Sequence, residues 1–276
     1  MTIRTMTPAE LDSVIDWAAG EGWNPGLEDA AAFLVADPGG FFVSLQDGVP
    51  IAAISVVNHS PDFAFLGLYI CRPEWRGKGL GLALWDHALL HAGSRVIGLD
   101  GVAAQQANYA KSGFVRSGAT RRLEGRIGQE ASADIRPMTS ADLPALLALD
   151  ERANGYTRPA FLVVWLQEMK TRQTLVLEAP GGPVGFATIR LCRSGAKIGP
   201  IVAPDAAAAL RLIRAAAGLF PDCGAIIVDV PDSNTALSGM LEAAGMVETF
   251  ATARMYKGTP PPGSALLHAP ATLELG

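Results

Sequence analysis

Cysteine is almost missing from this chain. Three occur in 276 residues, Cys71, Cys192 and Cys223, far apart and with no CxxC pair. Neither a disulfide framework nor a zinc site is indicated. Positive charge is also short: 22 Lys and Arg stand against 27 Asp and Glu, a formal net charge of −5. That balance argues against nucleic acid or an anionic membrane as a partner and is compatible with a cationic amine as substrate. No uncharged apolar run is long enough to span a membrane, and Met1–Val14 has no signal-peptide core. A reduced, cytoplasmic protein is expected. The GxxxxGK[ST] phosphate loop is absent. Histidine is scarce, with four residues. His87 and His91 share a helix face, but no third ligand accompanies them, so no metal is expected.

What is present is apolar. Hydrophobic residues make up 49% and charged residues 18%, ample for a buried core. The chain also repeats itself. IRTMTPAEL from Ile3 and IRPMTSADL from Ile135 share most of their residues in order, 132 positions apart. YAKSGFV from Tyr109 and LEAAGMV from Leu241 match at the same spacing of 132. So long a period means a duplicated domain and not a solenoid. The expected organisation is a first domain over 1–126, a linker over 127–133, a second domain over 134–257 and an extension over 258–276. The extension opens on the proline run Pro260–Pro262. Its apolar end, Ala271–Leu275, suggests a short strand packed back on the body.

Within each half, strands alternate with helices, which predicts an α/β fold with a mixed sheet. In the first half, strands are predicted at 41–46 and 51–58 around the Asp47-Gly48 turn, and at 63–71, 96–99 and 115–123. Helices are predicted at 27–36, 79–92 and 105–112. The second half predicts helices at 158–170, 205–219 and 235–244, and strands at 174–178, 184–191, 197–202, 225–230 and 248–256.

The most informative stretch is Leu68–Leu82, LYICRPEWRGKGLGL. A strand runs into Arg72-Pro73, then into the basic glycine turn Arg76-Gly77-Lys78-Gly79-Leu80-Gly81, and a helix starts inside that turn. A helix start leaves backbone N–H groups unpaired and carries partial positive charge. Glycine lets the backbone close on an anion, and Arg76 and Lys78 add full charges. Together these make a pyrophosphate site.

These residues resemble motif A of the GNAT acetyltransferase superfamily, Q/R-x-x-G-x-G/A, and Tyr109–Phe114, YAKSGF, resembles the family's motif B. The resemblance implies two tandem GNAT-like acyl-CoA N-acyltransferase folds. It implies that acetyl-CoA lies in a V between two splayed strands, with the backbone of Tyr69, Ile70 and Cys71 along its pantetheine arm. The amides of Gly77, Lys78, Gly79, Leu80, Gly81 and Leu82 would hold the pyrophosphate. Tyr109 would stand near the thioester sulfur as general acid, a role its reference pKa of about 10 suits at neutral pH. Trp23 and Asn24, in the loop between the first two helices, would face the acceptor.

Two departures from the pattern stand out. The strand before motif A, FAFLGLYI, has no glutamate to act as base; Asp62 and Asp100 are the nearest acidic candidates, and a water-mediated path is the alternative. Val102 stands where the family often has asparagine, leaving Gln105 or Gln106 as possible polar contacts. Cys71, at the strand end, is a position for packing more than for covalent catalysis. In the second half, residues 198–207 read IGPIVAPDAA, without a basic glycine turn, and Leu241 replaces Tyr109. That half resembles a degenerate GNAT domain. Arg190, Arg193, Lys197, Asp229, Asn234 and Arg254 could line a pocket or a domain interface, or be salt-bridged structural residues. The expected protein is therefore a monomer with pseudo-dimeric halves and one acetyl-CoA site, transferring acetyl to a small-molecule primary amine. A non-catalytic acyl-CoA sensor and a peptide or protein N-acetyltransferase are the alternatives.

Overall fold

The computed structural model describes residues 1–276. Its first half runs β1 (Thr2–Thr5), α1 (Pro8–Gly20), α2 (Asp29–Ala36), β2 (Phe41–Gln46), β3 (Val49–Asn58), β4 (Phe63–Cys71), α3 (Leu80–Ala92), β5 (Val96–Gly101), α4 (Gln106–Lys111) and β6 (Val115–Gly125). The second half repeats the order with β7 (Ile135–Pro137), α5 (Leu143–Asn154), α6 (Pro159–Trp165), β8 (Arg172–Ala179), β9 (Gly182–Leu191), β10 (Ala196–Val202), α7 (Ala206–Ala217), β11 (Ile226–Pro231), α8 (Thr235–Ala243) and β12 (Val247–Lys257). A last strand, β13 (Leu267–Ala269), belongs to the extension.

Local chemistry accounts for the element ends. Thr7 and Glu10 form a reciprocal capping box at α1, with Pro8 in the first turn. Asp205 caps α7 by accepting from the Ala208 amide. Strands β3 and β10 are apolar and buried on both faces because helices cover them. One predicted helix is shorter than expected. The element predicted over 158–170 ends at Trp165, and the chain turns back through the Met169–Arg172 bridge. Arg172 thereby enters β8 opposite Arg190, with its guanidinium 4.8 Å from the Trp165 ring centre.

All strands join one sheet in the order β1-β2-β3-β4-β5-β12-β6-β11-β10-β9-β8-β7, with β13 beside β10. The two halves exchange their final strands. β12 pairs with β5 of the first half, and β6 pairs with β11 of the second. β6 and β12 run antiparallel down the centre, and Thr120 faces Thr252, its own equivalent in the repeat. A pseudo-two-fold therefore passes through the sheet, as in an isologous dimer fused into one chain. A fragment ending at residue 126 would lose β12 from the edge of β5 and expose an unpaired ladder. Such a fragment is expected to aggregate or to melt without cooperativity, which size-exclusion chromatography and a thermal circular-dichroism scan would test.

The extension does not form the strand predicted at Ala271–Leu275. The strand lies earlier, at Leu267–Ala269, and the residues beyond it are a mostly buried turn. The reason is geometric. β10 and β11 pair in parallel only through Ile198–Val228 and then diverge, and β13 fills the gap by pairing Ile201 with Ala269. Pro270 follows, with no N–H to extend the ladder.

Candidate active site

In the first half the equivalent gap stays open. β4 pairs with β5 from Phe63–Val96 to Leu66–Leu99 and no further. Gly67–Cys71 therefore present a free strand edge, the V expected from the sequence. Opposite β3, the chain bulges: Ala53 faces Ile70 and Ser55 faces Gly67, so Leu68 and Tyr69 oppose Ile54 alone. Leu68 has φ 48°, a left-handed conformation that non-glycine residues avoid. Bulges of this kind re-aim backbone groups and gather at active sites.

Beyond β4 the glycine turn takes the shape an anion site requires. Gly77 and Gly79 have φ 75° and 74°. None of the amides of residues 77–81 donates to a backbone carbonyl, while Leu82 N–H bonds Gly79 O at 3.2 Å. Any side chain at Gly81 would strike the Tyr69 hydroxyl. The two cations at the turn have protein partners. Arg76 donates to Cys71 O at 2.8 Å and forms an ion pair with Glu21, while Lys78 Nζ lies 4.6 Å above the Trp75 ring. Free amides, more than free side chains, make this turn receptive to phosphate.

Tyr109 sits at the base of the V. Its ring stacks on Trp85, centroids 5.2 Å apart and 13° between planes. No protein group hydrogen-bonds its hydroxyl, and burial pushes its pKa well above the usual value. Cys71 is also shifted up by burial, opposed by Arg76, which is the reverse of what a nucleophilic thiolate needs.

A cavity leads from Tyr109 into the pseudo-dimer interface. First-half residues Trp23, Gly67, Leu68, Tyr69, Asp100, Val102 and Gln105 form one side, and Arg122, Phe250, Thr252, Leu273 and Glu274 form the other. Trp23, Tyr69, Val102, Gln105 and Phe250 also border the groove that contains residues 76–82. The acceptor loop is held by Lys197 of the second half and by Arg122 of the exchanged strand β6. Trp23 O accepts from Lys197 Nζ at 2.7 Å and from Arg122 Nη1 at 3.1 Å. Asn24 does not face the cavity: its side chain donates to Ser194 O at 2.7 Å and accepts from Ser194 N–H, pinning the loop.

The candidate bases do not serve. Asp100 is held by both nitrogens of a bidentate pair with Arg254, at 2.7 and 3.0 Å, opposite it on β12. Asp62 lies at the far end of β4, in the β3–β4 turn. Gln105 borders the cavity, whereas Gln106 donates to Gly101 O at 3.1 Å. His91 bonds Asp37 at 2.7 Å, and both His87 and His91 pack edge-on against Phe42. Arg190 pairs with Asp29 at 3.2 Å, Arg122 with Asp229 at 2.7 and 3.0 Å, Arg193 with Asp16, and Asn234 with His268 at 2.6 Å.

Arg122, Phe250, Thr252, Leu273 and Glu274 were not legible as site residues. They carry no motif and come from the exchanged strands and the tail. The one available signal was the buried-looking apolar end of the extension.

A splayed parallel pair, a bulged strand edge and a turn of free amides beside a cavity walled by both halves define an acyl-CoA-dependent acyltransferase. Two family descriptions match the chain: "Acetyltransferase (GNAT) family" over residues 9–114 and "Acetyltransferase (GNAT) domain" over residues 146–266. The holothin acyltransferase of a Pseudoalteromonas strain is 34% identical over 99% of this chain and 94% of its own. Among solved structures, a putative acetyltransferase from Pyrococcus horikoshii superposes with TM-score 0.83 at 18% identity, covering 100% of this chain and 95% of the other. A tandem GNAT protein from the clavulanic acid biosynthesis pathway gives TM-score 0.63 at 15% identity, covering 95% and 99%. The chain belongs to the GNAT acetyltransferase family and contains two GNAT domains.

Proposed function

We propose that this protein transfers the acetyl group of acetyl-CoA directly to a primary amine of a small molecule. The carrying observation is the continuity of two spaces: a groove floored by the free amides of residues 77–81 opens, past Tyr69 and Trp23, into a cavity holding Tyr109. The donor enters along the first and the acceptor waits in the second. Tyr109 acts as general acid on the departing CoA sulfur. The backbone N–H groups of the Leu68–Tyr69 bulge lie on the strand edge where a developing oxyanion needs donors. The second half binds no CoA in this reading, because β13 fills its V and it lacks the glycine turn.

The small cavity, walled by both halves and the tail, favours a small acceptor over a peptide. One relative is named for acylating holothin, so holothin belongs in the first acceptor panel. Isothermal titration with acetyl-CoA should give one site per chain, and thiol release across the amine panel should identify turnover. Binding without turnover on any amine would favour the acyl-CoA sensor instead. Arg76→Glu places a negative charge beside the turn and should weaken acetyl-CoA binding at least about tenfold, a coupling of ~1.4 kcal/mol. Unchanged affinity in that titration would remove the turn from the donor site.

A further inference from the structure

The reaction needs a base, since an alkylammonium has no lone pair with which to attack. Neither carboxylate suggested by the sequence can supply it, because Asp100 is clamped by Arg254 and Asp62 is remote from the cavity. Only one other carboxylate borders the cavity, and it belongs to the C-terminal tail.

The tail reaches the cavity by a defined route. After β13 fills the second half's V, Pro270 and Ala271 pass against Gly199, where any side chain would strike their carbonyls. Ala271 and Leu275 join the apolar core that α1 and α2 of the first half share with α5 and α6 of the second. The Glu274 carbonyl then rests on Gly67, at the start of the free edge of β4, with no room for a β-carbon between them. Arg158, itself paired with Asp150, donates to the carbonyl of Gly276 and fixes the chain end. The tail thus crosses from the inactive V to the active one.

We propose that Glu274 is the general base that deprotonates the acceptor amine, delivered to the first half's catalytic cavity by the tail that occupies the second half's V. Glu274 lines the same cavity as Tyr109, and its only side-chain hydrogen bond comes from Thr272, two residues away. It makes no salt bridge, unlike Asp100. The charges facing it are Lys197, Arg122, Arg190 and Asp29; each arginine is already bonded to an aspartate, Arg122 to Asp229 and Arg190 to Asp29, which leaves the Lys197 ammonium as the cation without a carboxylate partner. Burial raises its pKa above the ordinary carboxylate range, with Asp29 adding to the rise and Lys197, Arg122 and Arg190 opposing it. A carboxylate raised toward neutrality is a stronger base than one on the surface.

The proton balance closes with the residues present. Glu274 takes one proton from the bound ammonium. The freed lone pair forms the C–N bond at the thioester carbonyl carbon, and the C–S bond breaks with its electron pair on sulfur. Tyr109 gives its proton to that sulfur and recovers one from the nitrogen. Glu274 returns its proton to solvent with the products.

This inference rests on the acetyltransferase reading, and the experiment separates the two. Glu274→Gln, which keeps the shape and removes the charge, should bind acetyl-CoA within twofold of wild type. Its kcat/KM for an alkylamine should fall about 10²-fold or more. The rise of kcat/KM with pH that marks Glu274 ionisation should disappear. An arylamine, unprotonated at neutral pH, should lose less than tenfold. Equal losses on both amines would make Glu274 a structural residue and overturn the proposal, as would undiminished alkylamine turnover. Failure of the wild-type protein to acylate any amine would sink the acetyltransferase reading itself. Should Glu274→Gln not fold, Glu274→Asp carries the test. A reduced kcat with the pH limb kept but moved supports the base, whereas wild-type rates and an unmoved limb overturn it.

Discussion

Tyr109→Phe is expected to lower kcat at least about 10²-fold, the usual contribution of a positioned general acid, while acetyl-CoA affinity and thermal stability stay near wild type. The structure makes this substitution clean. The phenol ring contributes its packing through the stack on Trp85, which phenylalanine preserves. The hydroxyl bonds no protein group, so its removal leaves no buried partner unsatisfied. What is lost is the proton. Burial holds that proton more tightly than in free tyrosine, so Tyr109 remains protonated across the range in which the enzyme would be assayed. An isolated transfer from so weak an acid to a thiolate of reference pKa about 8.5 is uphill. The proton therefore leaves as the acidic nitrogen of the addition intermediate replaces it, and deletion of the hydroxyl breaks that relay. No fall in rate from Tyr109 ionisation should occur on the alkaline side below about pH 10. Stopped-time thiol release, run beside a titration with acetyl-CoA, measures both arms. Unchanged kcat in the phenylalanine variant would remove the tyrosine from the chemistry.

The second large effect concerns the fold. Arg158→Met should destabilise the protein by about 3–5 kcal/mol, the range seen when one partner of a buried ion pair is deleted. Arg158 is fully buried, bonded to both oxygens of Asp150 at 2.7 and 2.8 Å. Removing it leaves the Asp150 charge uncompensated in the core and releases the carbonyl of Gly276. For a chain of this length, such a loss corresponds to a fall in Tm on the order of 10 °C. A second consequence is specific to this molecule. Freeing the chain end loosens the tail that carries Glu274, so alkylamine turnover should fall further than the fraction unfolded explains. Changing both partners, Arg158→Met with Asp150→Leu, should recover stability, because no buried charge is stranded. It should not recover the anchoring of the tail. Urea unfolding, with turnover measured on the folded fraction, tests the set. A loss under about 1 kcal/mol in the single variant would contradict the burial argument.

Much of the fold was legible because its signals are local. The breaker cluster at Asp37–Gly40 separates α2 from β2, the Asp47-Gly48 turn joins β2 to β3, and the capping pattern Thr7-Pro8-Ala9-Glu10 opens α1. The donor turn was equally readable: residues 76–82 are contiguous, so strand, glycines and helix start appear in one line of text. The duplication was legible too, from two matches at one spacing. The helix predicted to Lys170 failed because its last residues are recruited by a distant strand, with Arg172 placed against Arg190 and Trp165. The tail strand was misplaced because its ladder partner, β10, is a free edge only where β11 diverges.

The sequence by itself determined the glycine turn, the part of the site proposed to hold the donor. A basic glycine turn between a strand and a helix creates unpaired amides through the backbone geometry of the segment alone, whatever the rest of the chain does. It also determined that only one half has such a turn, since Ile198–Ala207 offers no equivalent. The acceptor side was decided by tertiary structure. Strand exchange puts Phe250 and Thr252 beside Tyr69 and Tyr109, more than a hundred positions away in the chain. The tail then carries Glu274 across the pseudo-two-fold to Gly67. Pairings of this kind depend on which strand edges are left open and which cavities remain to be filled. Those quantities exist only once the two halves are assembled, and no local pattern of residues encodes them.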